Sequence, residues 1–292
     1  MKCLSSPRSA ILRIAFLLFI LPVVNGKSVT YTWSGLTDTL WNTSTNWVGG
    51  LAPGDLTTDD IIIPTNCPFY PSLDSTISRT IGDLTIDSGA TLSMALVPGI
   101  SFMIHGNFTN NGTLYQSGTS SIFLKGSAKT INGTGNFFGG TTAALYIDEG
   151  ASYTLTTDVS VRYFFIYATG SLDMNGYDIV TEFFFQIGNF YLRDGTLSIG
   201  GSWNASMWFN SYEYYGGLDG DTYNAYFTDS TFDAGTGTVY YNSGDTFTPA
   251  IQFVRSVNYY NLKVRTNNGF TAILWKFQPN RPQQIGLNRP HS

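Results

Sequence analysis

Between Arg162 and Arg193 lie three carboxylates, Asp173, Asp178 and Glu182, with a guanidinium at each end. Paired carboxylates can act as acid and base on a glycosidic bond. With a cation nearby they can also hold calcium beside an acidic sugar. A catalytic reading requires them to converge on one outer groove. Against this, Asp173 and Asp178 fall in Leu172-Asp-Met-Asn-Gly-Tyr-Asp178, where Asx side chains ordinarily serve turns. Asp148-Glu149-Gly150 also reads as a corner. Asp219-Gly-Asp221 sits in a Gly-rich stretch but lacks the remaining ligands and distal Glu of a calcium loop. No catalytic residue, metal site or cofactor is expected.

A second kind of chemistry is stacking. Trp203, Trp208, Tyr212, Tyr214 and Tyr215 form a dense aromatic cluster. If exposed, their flat rings can stack on sugar faces, with Asn204 and Glu213 as hydrogen-bonding partners. The alternative is core packing of a wide rung. Trp33, Trp41 and Trp47 pose the same choice between a sugar platform and a covering for the end of a fold. Cys67 is the cysteine left after an N-terminal leader, and only His105 and His291 could partner it. It reads as a buried, inert thiol, and no internal disulfide is available. Asn42, Asn107, Asn111, Asn132 and Asn204 each open a glycosylation-type triplet, meaningful only in a eukaryotic source.

These residues are carried by a repeated phrase. Ile81-Gly-Asp-Leu-Thr-Ile-Asp-Ser-Gly-Ala-Thr-Leu-Ser-Met94, His105-Gly-Asn-Phe-Thr-Asn-Asn-Gly-Thr-Leu-Tyr115 and Leu192-Arg-Asp-Gly-Thr-Leu-Ser-Ile199 each write strand, Gly/Asn/Asp corner, strand. The period is roughly 18–25 residues. Alternation places strands at 83–87, 91–94, 101–105, 112–116, 121–124, 144–148, 152–156, 162–168, 171–174 and 183–188. No stretch beyond the leader shows helical periodicity with caps, which removes a βαβ reading. The fold class that follows is all-β, a coil of parallel strands. Residues 202–229 break the rhythm, either as an excursion or as a degenerate rung. Lys125 and Lys129 read as solvated protection of a solenoid edge.

Composition agrees. Charged residues are 12% and aromatics 15% of the 292 residues, and the formal net charge is -5. Aromatic richness excludes disorder of the body, and the missing basic stripe excludes nucleic acid as a partner. Lys2, Arg8 and Arg13 precede an apolar run, Ile14 to Val24, interrupted by Pro22 and followed by Val24-Asn-Gly26. That is the pattern of a signal peptide over 1–26, and no membrane span is expected after its cleavage. Residues 27–76 read as an N-terminal Trp-rich cap, 77–274 as the coil, and 275–292 as a disordered or truncated tail.

The phrases Gly82-Asp-Leu-Thr-Ile-Asp-Ser-Gly-Ala-Thr-Leu92, Gly106-Asn-Phe-Thr-Asn-Asn-Gly-Thr-Leu114 and Gly235-Thr-Gly-Thr-Val-Tyr-Tyr-Asn-Ser-Gly244 resemble large secreted β-helix proteins of Bacteroidetes-type bacteria. Trp33-Ser-Gly35, Asn46-Trp47 and Asp59-Asp-Ile-Ile-Ile-Pro64 resemble their opening segment and, distantly, the start of a G8 domain. The resemblance implies a single-stranded right-handed parallel β-helix (β-solenoid) with an N-terminal cap. It also implies export, surface exposure, and an adhesin-like, non-enzymatic role. Such proteins commonly end in a sorting domain for type IX export, which has no counterpart among these residues. The partners that fit are extracellular polysaccharide or a host or cell-surface glycan. The competing functions are a polysaccharide-active lyase or hydrolase on the same fold, and a dedicated carbohydrate-binding module.

Overall fold

A computed structural model describes residues 28–73, 77–94, 101–116, 120–139, 144–203, 231–242, 251–254, 259–265 and 271–274. Within them the chain is a β-solenoid whose ladder pairings are all parallel. Three sheets line its long axis, and a fourth pairs Ile251–Val254 with Thr271–Leu274. The first face stacks nine strands, from Val29–Thr32 through Asp59–Ile63, Leu84–Ile86, Phe108–Asn110, Lys129–Asn132, Ser152–Leu155, Ser171–Asp173 and Asn189–Tyr191 to Phe232–Asp233. The second also has nine, from Arg79–Ile81 to Asn261–Arg265. The third has four: Ser72–Leu73, Thr91–Met94, Thr113–Gln116 and Asn136–Gly139.

Alternation explains the packing. In Thr91–Met94 and Ser101–Ile104 every second residue is buried. Register then aligns each inward residue with its counterpart one turn on. Ile61 pairs with Leu84, Leu84 with Phe108, and Phe108 with Ile131. Each such buried aliphatic or aromatic side chain contributes about 1.5–3 kcal/mol, so the core is a column and not a sphere.

The corners are held by side chains that imitate backbone. Asp60 Oδ1 accepts the Asp83 N–H at 2.8 Å, Asp83 Oδ1 accepts the Asn107 N–H at 2.7 Å, and Asn107 Oδ1 accepts the Thr130 N–H at 3.1 Å. Small residues let turns approach. A Cβ on Gly188 would lie 2.2 Å from the Gly170 carbonyl oxygen. Gln116 is buried and bridges the third and second faces, accepting the Ala144 N–H at 2.7 Å.

The coil changes section along its length. Successive turns on the first face are 23 or 24 residues apart near Asp83 and 18 apart where Ser171 pairs with Asn189. The third face ends at Asn136–Gly139, and the second continues in eight-residue strands, Val159–Ile166, Ile179–Gln186 and Thr196–Trp203. A continuous strand replaces the bend and loop that separated two faces, so fewer residues close each turn. Of residues 202–229, left open between excursion and degenerate rung, all those after Trp203 lie outside the described residues. On either side of them Phe190 pairs with Phe232, and Leu197 with Val239.

Candidate functional site

The tryptophans of the cap face inward. Trp33 is 0% exposed, and Trp41 and Trp47 are 2% exposed. Trp47 meets both others edge to face, with ring centroids 5.0 and 4.9 Å away. Trp33 Nε1 donates to the Phe69 carbonyl and Trp47 Nε1 to the Trp41 carbonyl, both at 2.7 Å. Trp41 lies against Phe102 of the second face. The three rings therefore plug the first turns, and the sugar-platform reading fails because the plug leaves no ring face open. Arg79, buried at the start of the second face, locks the plug by bonding Asp55 and Asn42, each at 2.7 Å. Burial pushes the Cys67 thiol above its ordinary range, and its Sγ donates weakly to the Pro64 carbonyl at 3.4 Å. The thiol expected to be buried is half-buried, and its raised range disfavours the reactive thiolate.

The carboxylates and guanidiniums separate into pairs. Arg193 donates to both oxygens of Asp173 on the first face, with its closest contact at 2.7 Å, and its guanidinium sits over Tyr191. The Arg193 hydrogen bonds hold the Asp173 carboxyl below its usual range. Arg162 pairs with Glu182 on the second face and lies over Tyr163. Asp178 Oδ1 accepts the Thr196 N–H at 2.6 Å at a corner. The sequence-selected set is thus split between two faces and a turn, each carboxylate already occupied. Asp148 pairs with Lys125 one turn above. Lys125 is therefore a rung-to-rung ligand and not edge protection. Lys129 is not at an edge either, since its strand lies in the middle of the first face.

Two arrays were not legible as sites. Outward on the second face, Met103, Phe123, Tyr146, Phe165 and Phe185 occupy one register column. Phe123 stacks on Tyr146 at 4.7 Å and Tyr146 on Phe165 at 4.3 Å, with interplanar angles of 20° and 9°. These rings use their faces on one another, and Phe165 keeps only 4% of its surface exposed. The second array is the Asx ladder of the first face, where Asn107 is committed to Asp83 and Thr130. Its sequon amide is thereby engaged, whereas Asn132 is exposed.

Of the sequence-selected stacking residues, Trp203 ends a second-face strand with its backbone paired to Phe184. Trp208, Tyr212, Tyr214 and Tyr215, and Asp219 and Asp221, lie outside the described residues. Beyond them the described chain resumes at Thr231, whose N–H donates to Asn189 Oδ1 and whose carbonyl accepts from Gln186 Nε2, both at 3.1 Å.

Comparison of the chain with protein families, with curated proteins and with solved structures finds no match.

Proposed function

We propose that this chain is an exported, non-enzymatic β-solenoid that works by presentation, offering a long patterned surface for structural or adhesive contact with extracellular glycans. The observation that carries the reading is the employment of its surface groups. Asp60, Asp83, Asn107, Asp148, Asp173, Asp178 and Glu182 hold the next turn or pair with a cation from it. A catalytic acid and base must instead face a substrate with a proton to give or accept. What remains for a partner is a stiff lattice of Thr, Ser, Asn and Tyr at a spacing of about 4.8 Å per turn. The leader-like N-terminus and the resemblance of the repeats to secreted adhesin-like solenoids support export.

Glycan-array and cell-binding assays on the exported protein test this. Saturable binding to a set of polysaccharides or cell-surface glycans is the expected outcome. Blank arrays together with blank cell binding overturn it.

A further inference from the structure

A sugar stacks on an aromatic side chain only where a ring face is open. The described aromatics differ in this respect. In the second-face column, Phe123, Tyr146 and Phe165 lie on one another, and the cap tryptophans are buried. Phe69, Tyr115, Tyr177 and Tyr260 are exposed, and of these Tyr115 alone stands on a strand. It points outward from the third face and is 45% exposed. Its strand, Thr113–Gln116, lies between Thr91–Met94 and Asn136–Gly139, so the ring stands within a sheet and not on a loose turn. The residue in register above it is Ser93 and the one below is Gly139. On the Ser93 side only a hydroxymethyl group stands in register with the phenol, too small to cover it, and the register shifts between Asn136 and Gly139 on the other side.

The surroundings are selective. Thr91 and Thr113 form the adjacent outward column, with Asn136 in register next to Thr113. Ser93 and Thr113 place hydroxyls beside the ring. The four strands of this face contain no Asp, Glu, Lys or Arg. A uronic-acid or sulfated polymer would find no countercharge here, whereas a neutral sugar loses nothing by its absence.

We propose that Tyr115 is a saccharide-stacking residue for neutral polysaccharides. A pyranose ring lies with its C–H face on the phenol and its hydroxyls bond to the neighbouring Thr and Ser side chains. This rests on the glycan-contact reading above and gives it a place and a ligand chemistry.

The test is native affinity electrophoresis of the exported protein through gels containing glucans, mannan or galactan, one at a time. The wild-type protein is retarded by at least one of them. Tyr115→Ala weakens that retardation about tenfold, the loss of one aromatic contact. Tyr115→Phe keeps it, and Tyr177→Ala, also a surface tyrosine, leaves it unchanged. Unaltered melting temperatures show that every variant is folded. Retardation of Tyr115→Ala equal to wild type overturns the Tyr115 assignment and leaves the glycan reading standing. No retardation of wild type by any neutral polysaccharide overturns the assignment. Binding of wild type to acidic polymers alone does so too, while still preserving glycan contact.

Discussion

Removing one oxygen atom from the core, by Tyr153→Phe, tests how the coil satisfies its buried backbone. Tyr153 is 2% exposed and reaches back beneath the corner between the second and first faces. Its Oη accepts the Gly126 N–H at 3.1 Å. Its hydroxyl donates to the carbonyls of Ile104 and Gly106 at 3.1 and 3.0 Å. Phenylalanine preserves the ring packing but leaves the Gly126 N–H without the phenol and removes a donor from the Gly106 carbonyl, while the Ile104 carbonyl keeps the Lys125 N–H at 2.8 Å. The cost is about 1–3 kcal/mol at pH 7, because water cannot replace the lost partners. A pH signature accompanies it. Burial pushes the Tyr153 phenol up to about 12, against an unfolded value of about 10. A raised folded value means the neutral phenol's stabilisation is complete below pH 10 and is lost as pH rises towards 12. Two units correspond to about 3 kcal/mol. Urea unfolding of both proteins at pH 7, 9 and 11, followed by far-UV circular dichroism, should show a gap that is constant to pH 9 and shrinks at pH 11. Other tyrosines titrate in both proteins and cancel in the comparison. Equal midpoints at pH 7, or a gap that ignores pH, would refute the buried-phenol argument.

Gly188→Ala should cost at least about 2 kcal/mol, since its Cβ would meet the carbonyls of Gly170 and Tyr167 at 2.2 and 2.3 Å. Thermal melting checks this, and a shift within error contradicts the close stacking of turns. Arg193 holds a left-handed backbone, with φ of 61°, and its pair with Asp173 is partly exposed. Arg193→Gly should therefore be more stable than Arg193→Ala by about 1 kcal/mol, the strain that glycine relieves. Denaturant midpoints of the two variants decide it. Replacing 204–230 by as many residues as the preceding turn uses between Phe184 and Asn189 should keep the β-rich spectrum and cooperative melting. Loss of folding would mean that residues 204–230 are needed by the stack.

Strand positions were legible because alternation and corner residues report the same geometry twice. Thr91–Met94 and Ser121–Leu124 coincide with their expected bounds. Strands such as Lys129–Asn132, beginning with a charged residue, carry too little apolar pattern to be seen. The eight-residue strands extend beyond their expected bounds because their first halves replace a whole face, a change of section that local alternation does not encode. Site residues were less legible for a related reason. Arg162 pairs with Glu182 and Arg193 with Asp173 through vertical register, 20 residues apart. Proximity in sequence made them look like one constellation, whereas the fold assigns them to different faces. Tyr115 escaped notice because its exposure depends on Ser93, a turn away in register.

The claim at the centre of this account is binding by presentation, without turnover. Incubating the purified protein with the polysaccharide that retards it, then assaying that polymer for new reducing ends and unsaturated termini, tests it most directly. The account predicts saturable binding with chain length unchanged. Release of either kind of terminus, abolished by substituting Asp173 or Glu182, would contradict it and establish the enzymatic alternative.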